Sequence, residues 1–203
     1  MKRALPLLLS VLHFALLVWL ARQHPFGTYA TETDFYHFFA PDAERLASGQ
    51  FPTNTYQGPG YPVALALLAK LTGLSGDLFT VGKWLSVVCA VACGWLIFRL
   101  FAQLFGFWVG VGAQALAVAS GEFPQFSISA TTDVFFLALC LATLVVLTDE
   151  RLSIRWRTGG AAVLTSLSYL TRYNGLFLLV VCLCSLLLLN LFQLDWRRRL
   201  RLA

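Results

Sequence analysis

The chain has 203 residues, 58% of them hydrophobic and only 12% charged. Soluble domains carry about 25% charged residues, so half that share excludes an ordinary soluble domain and predicts an integral membrane protein. The net charge of +5 is spread beside apolar runs and makes no basic stripe interleaved with aromatics, so no nucleic acid partner is expected.

Met1-Lys2-Arg3 precedes an apolar run at residues 4–21. Its 18 positions fall within the about 17–25 that cross a bilayer. The run ends in Trp19-Leu20-Ala21-Arg22-Gln23-His24, an interfacial anchor rather than a cleavage site, and is taken as a retained first span. Residues 22–79 form the following loop, opening on four carboxylates: Glu32, Asp34, Asp42 and Glu44. Pro41 interrupts a helical pattern there, so Asp42, Glu44 and Arg45 open a second short helix. Residues 61–71 are apolar, but eleven positions reach only about 17 Å, against a hydrocarbon core of about 30 Å. This piece lies on or dips into the interface, giving two or three short juxtamembrane helices in the loop.

Longer apolar runs follow at residues 80–105, 107–120 and 126–147. A last block, 159–192, is interrupted by Thr171-Arg172-Tyr173-Asn174-Gly175. The five cysteines, Cys89, Cys93, Cys140, Cys182 and Cys184, sit inside these runs and read as packing thiols. Charge decides the crossing number. If the last block crosses twice and 61–71 not at all, ten of the fifteen Lys and Arg share the cytoplasmic side, including Arg99, Arg151, Arg155, Arg157 and Arg197 to Arg199. Seven acids, among them Asp34 and Asp133, then face the other side. The expectation is an all-α membrane domain over 1–203: six transmembrane helices, both ends cytoplasmic, five of the spans within 80–192, and a basic end at 193–203.

Three ionisable groups from distant positions then meet at the extracytoplasmic face: Asp34, Asp133 and Arg172. Asp34 also suits a first helical turn, where a carboxylate favours the dipole. His37, three residues on, lies on the same helix face. Asp133 follows Ser-Ile-Ser-Ala-Thr-Thr near the membrane edge, where an ionisable group is a functional candidate or a helix cap. Arg172 sits in the break of the last block and Lys83 early in the second span; each is a snorkelling anchor or an anion ligand. Glu32, Tyr56 and Tyr61 lie nearby as accessory candidates, the tyrosines also fitting an aromatic belt.

The order of these features resembles the multi-span glycosyltransferases that use polyprenyl-phosphate sugars, the protein O-mannosyltransferase and lipid A aminoarabinose transferase superfamily of GT-C fold. The matching pieces are Asp34 as the loop carboxylate, "AERLASGQFPTNTY", the Gly58-Pro59-Gly60-Tyr61-Pro62 dip, "SATTD" ending at Asp133, and Leu170-Thr171-Arg172 as the basic turn. Two departures stand out: Phe35 follows the loop Asp where many members have a second acid, and Gly-Tyr separates the prolines of the dip. The likeness spans the front part of such proteins, so it implies the N-terminal part of a larger catalytic module.

The resemblance implies transfer of a sugar from a polyprenyl-phosphate carrier to an extracytoplasmic lipid, glycan or protein acceptor, in a setting such as the bacterial inner membrane. Asp34 would be the base or positioning carboxylate, and Asp133 a second catalytic residue that orients acceptor or donor hydroxyls or holds one of the cations. Lys83 and Arg172 would neutralise the leaving lipid phosphate. Some such proteins bind a divalent metal, which would sit near Asp34 and His37. Two other readings stay open from the residues: a transporter or flippase of a lipid-linked or anionic substrate, and an inactive fragment.

Overall fold

A computed structural model describes residues 4–25, 32–54 and 57–187. Tyr56 and the basic end at 193–203 therefore lie outside the described residues. All regular structure among those described is helical.

The first helix, α1 (Ala4–Gln23), carries Leu7, Val11 and Trp19 more than half exposed on its surface. Such a face suits lipid rather than water. The loop that follows is helical through Glu32–Asp34 into a π-turn, Phe35–Phe39, and on into α2 (Ala40–Ala47). The π-turn has a local cause. Pro41 has no N–H to give to the carbonyl one turn back and its ring crowds that carbonyl. The chain widens by one residue, with the Ala40 N–H bonded to the Phe35 carbonyl. The expected break at Pro41 is thus a widened turn within one helical segment.

Helix α3 (Gly60–Thr72) packs on α2, on α4 (Leu78–Phe105) and on α8 (Ile154–Thr171). Its Tyr61 is fully buried, with ring centroids 5.1 Å from Phe39 and 6.0 Å from Phe135. With Phe35, Leu65 and Val81 it forms a compact core that fixes the loop to the bundle. Burying one such side chain contributes about 1.5–3 kcal/mol.

Helix α4, 28 residues long, is the central pillar. It packs against α1, α5 (Phe107–Ala119), α6 (Phe123–Ile128) and α7 (Asp133–Thr148). Only α1 and α4 among the described helices are long and apolar enough to cross a bilayer singly; α3, α5, α7 and α9 (Gly175–Leu187) are apolar but shorter. Two expected runs are also divided differently. After α5 the chain breaks at residues 120–122, and Phe123 resumes with its ring stacked 5.9 Å from His13, midway along α1. The run at 126–147 is interrupted too: α6 ends at Ile128, residues 129–132 are not helical, and α7 begins at Asp133. The hydroxyls cause this second break. Ser127 and Ser129 donate to the carbonyls of Phe123 and Gln125 at 2.6 and 2.7 Å, the local bonding that favours helix ends.

Candidate functional site

Four chain segments converge beside the N-terminal part of α4. They are the helical turn around Asp34, the Gly58-Pro59-Gly60 turn before α3, and the breaks at residues 129–132 and 172–174.

The Gly turn is clamped onto the end of α8. A Cβ at Gly58 would lie 2.0 Å from the Leu170 carbonyl oxygen, and one at Gly60 2.9 Å from the same atom. Only hydrogen fits there. Helix α8 stops at Thr171; Arg172 is extended at φ −146°, ψ 133°, and α9 restarts at Gly175. A Cβ on Gly175 would meet the Tyr169 backbone nitrogen at 2.4 Å, so glycine lets α9 begin directly beneath the end of α8. The expected division of the last block at Thr171-Arg172-Tyr173-Asn174-Gly175 is where the helix breaks, although α8 already starts at Ile154 rather than near Gly159.

Between these segments lies a cavity of about 410 Å³ lined by Asp34, Gln57, Gly58, Thr131, Thr132, Asp133, Arg172, Tyr173 and Asn174, among others. Asp34, Asp133 and Arg172 therefore share one space. Arg172 Nη1 pairs with Asp133 Oδ1 and donates to Thr132 Oγ1 at 3.2 Å. Asp133 opens α7, where its charge also meets the positive end of the helix dipole. The pair is 37% and 45% exposed, so in water it would contribute no more than about 1 kcal/mol. Its geometry matters more than that energy: the arginine keeps Nη2 and Nε for another acceptor.

Asp34 is exposed and accepts a hydrogen bond from Gln57 Nε2 at 3.2 Å on Oδ2. Gln57 carries no motif that marks it in the sequence. Its partner lies 23 positions away, and only its place next to the Gly-Pro-Gly turn could have drawn attention to it. Gln57 Oε1 and Thr131 Oγ1 are buried without a hydrogen-bond partner among the described residues, which is costly for a polar atom.

The remaining candidates sit elsewhere. Lys83 does not line the cavity; its Nζ donates to the His24 carbonyl at 3.2 Å and lies 5.3 Å from the centre of the Phe79 ring. Glu32 points inward. Its Oε1 meets His24 Nε2 at 2.7 Å and the Ala130 N–H at 3.4 Å, with both side chains almost wholly buried. It ties the start of the loop to the segment that leads into Asp133. Tyr61 belongs to the core beside the π-turn, where burial pushes its phenol pKa up and keeps it neutral. His37 is exposed, packed edgewise against Tyr36, and outside the cavity. Among the described residues there is no group of three or more His, Cys, Asp or Glu placed to hold a metal ion.

The sequence pattern of the family described as dolichyl-phosphate-mannose-protein mannosyltransferase matches residues 57–201, well over half of the chain. The match begins at Gln57 and takes in both breaks, Asp133 and Arg172; Asp34 and Glu32 precede it. No curated protein and no solved structure matches.

Proposed function

The chain belongs to the dolichyl-phosphate-mannose-protein mannosyltransferase family, a family of membrane glycosyltransferases, and we propose that it moves a sugar from a polyprenyl-phosphate carrier to an acceptor on the extracytoplasmic side. The observation that carries the reading is that Asp34 and the Arg172–Asp133 pair line one cavity. A carboxylate on one wall and a guanidinium on another are what a displacement at an anomeric carbon requires.

In this reading the acceptor hydroxyl attacks the anomeric carbon while Asp34 takes its proton. The bond from that carbon to the phosphate oxygen breaks, and the electron pair leaves with the lipid phosphate. Arg172 stabilises the growing negative charge with the donors not used on Asp133 and Thr132. Asp133 holds the guanidinium in place and is a positioning group for it. Gln57 holds Asp34 through Oδ2, leaving Oδ1 for the acceptor. The unpartnered Gln57 Oε1 and Thr131 Oγ1 favour a hydroxyl-rich ligand beside them. A carrier already dissolved in the bilayer explains why no Gly-rich nucleotide cradle is needed.

We extend the reading to topology: six passages, both ends cytoplasmic, with α5 and α6 together forming the third. The exposed apolar faces of α1 and α9 support lipid contact. The test is Asp34→Asn, assayed for transfer from dolichyl-phosphate mannose to a Ser/Thr peptide. Transfer should fall to background with membrane insertion intact. Turnover retained by this variant would remove Asp34 from the reaction.

A further inference from the structure

The opposite end of the bundle holds a second cavity, of about 430 Å³, where the start of α1 meets the C-terminal part of α4, the first turn of α5 and the turn after α7. Trp95, Phe98 and Phe107 give it apolar walls, and its polar groups are Arg99, Gln103 and Arg151. The acceptors near them are occupied. One Asp149 oxygen takes Arg99 Nη2 at 3.1 Å, and the other takes the Arg151 backbone N–H at 3.1 Å. Gln103 Oε1 takes the Thr148 hydroxyl at 3.1 Å.

The lining holds two guanidiniums, Arg99 and Arg151, and no carboxylate; Asp149 pairs with Arg99 from beside it, and Arg151 makes no ion pair among the described residues. Such a donor-rich lining suits a phosphodiester, and arginine meets its oxygens better than a point charge would. The aromatic and aliphatic walls complement an acyl chain, not a hydrated inorganic ion.

We propose that this cavity binds the headgroup phosphate of an anionic phospholipid, with an acyl chain laid along Trp95, Phe98 and Phe107. The site is separate from the Asp34 cavity and does not rest on the glycosyltransfer reading. Its occupant braces the junction of α1, α4, α5 and α7, the base on which the outer cavity stands.

The test is competitive retention in native mass spectrometry. The purified chain is loaded with equal amounts of chain-matched phosphatidylglycerol and phosphatidylcholine. The wild-type chain should retain phosphatidylglycerol preferentially, by about fivefold for one basic residue at the headgroup. Arg151→Gln, an exposed loop substitution checked for a monodisperse elution profile, should bring the ratio to about one. Millimolar inorganic phosphate should leave the retained lipid in place. Equal retention of the two lipids by the wild-type chain would overturn the proposal, as would an unchanged preference in Arg151→Gln. Displacement of the lipid by phosphate would overturn it in favour of a small-anion site.

Discussion

Replacing Gly58 by alanine tests the clamp that holds the cavity together. The added methyl would lie 2.0 Å from the Leu170 oxygen and 2.6 Å from its carbon, where real Cβ contacts essentially never fall under 3.0 Å. Both offending atoms are backbone, so no side chain can swing away; the turn and the end of α8 must part by about 1 Å. Overpacking of this kind costs about 1–3 kcal/mol. The larger effect is on geometry. Gln57 and Asp34 ride on one side of the clamp and Arg172 on the other, and a shift of about 1 Å in a reacting pair lowers rate on the order of 100-fold. The assay is transfer from dolichyl-phosphate mannose in micelles, with thermal unfolding followed in parallel. Gly112→Ala is the control, since a Cβ there meets nothing within 4 Å, and it should behave as wild type. A Gly58→Ala variant with wild-type turnover would refute the coupling of turn, helix end and cavity.

Glu32→Ala removes a nearly fully buried acceptor from the His24 ring and the Ala130 N–H and should lower stability by about 1–3 kcal/mol, seen as an early unfolding transition in detergent. Wild-type stability would show that this tie is not structural. Arg172→Ala should reduce turnover by about 100- to 1,000-fold, the range for removing a preorganised donor, whereas Arg172→Lys should keep most of the rate by retaining the charge. Equal losses in the two would contradict charge neutralisation as the role of Arg172 and assign the fork geometry instead.

Apolar runs and punctuation made much of the architecture legible. The short α3 followed from chain length against bilayer thickness, and the two crossings either side of Arg172 and the three ionisable groups of the cavity followed from charge placement. What stayed hidden depends on side chains that turn inward. Charge placement alone puts Glu32 with the acids of the open face, yet its carboxylate is buried against His24 and the Ala130 amide. Lys83 was a phosphate candidate by position along α4, but it bonds the His24 carbonyl. The break at residues 129–132 had a visible signal in Ser127, Ser129, Thr131 and Thr132, outweighed there by the apolar residues on either side. The π-turn and the Gln57–Asp34 bond carried no periodic signal, because one is a single-residue widening and the other a long-range contact.

In the proposed topology Asp34 and Arg172 open on one side of the membrane, opposite the turn between α7 and α8. In a chain freed of its five cysteines, single cysteines at Thr33, Tyr173 and Arg155 are treated with an impermeant maleimide in sealed, oriented vesicles. Thr33→Cys and Tyr173→Cys should react together from the outer side, and Arg155→Cys only after the vesicles are opened. Labelling of Tyr173→Cys together with Arg155→Cys, while Thr33→Cys reacts from the other side, would contradict it.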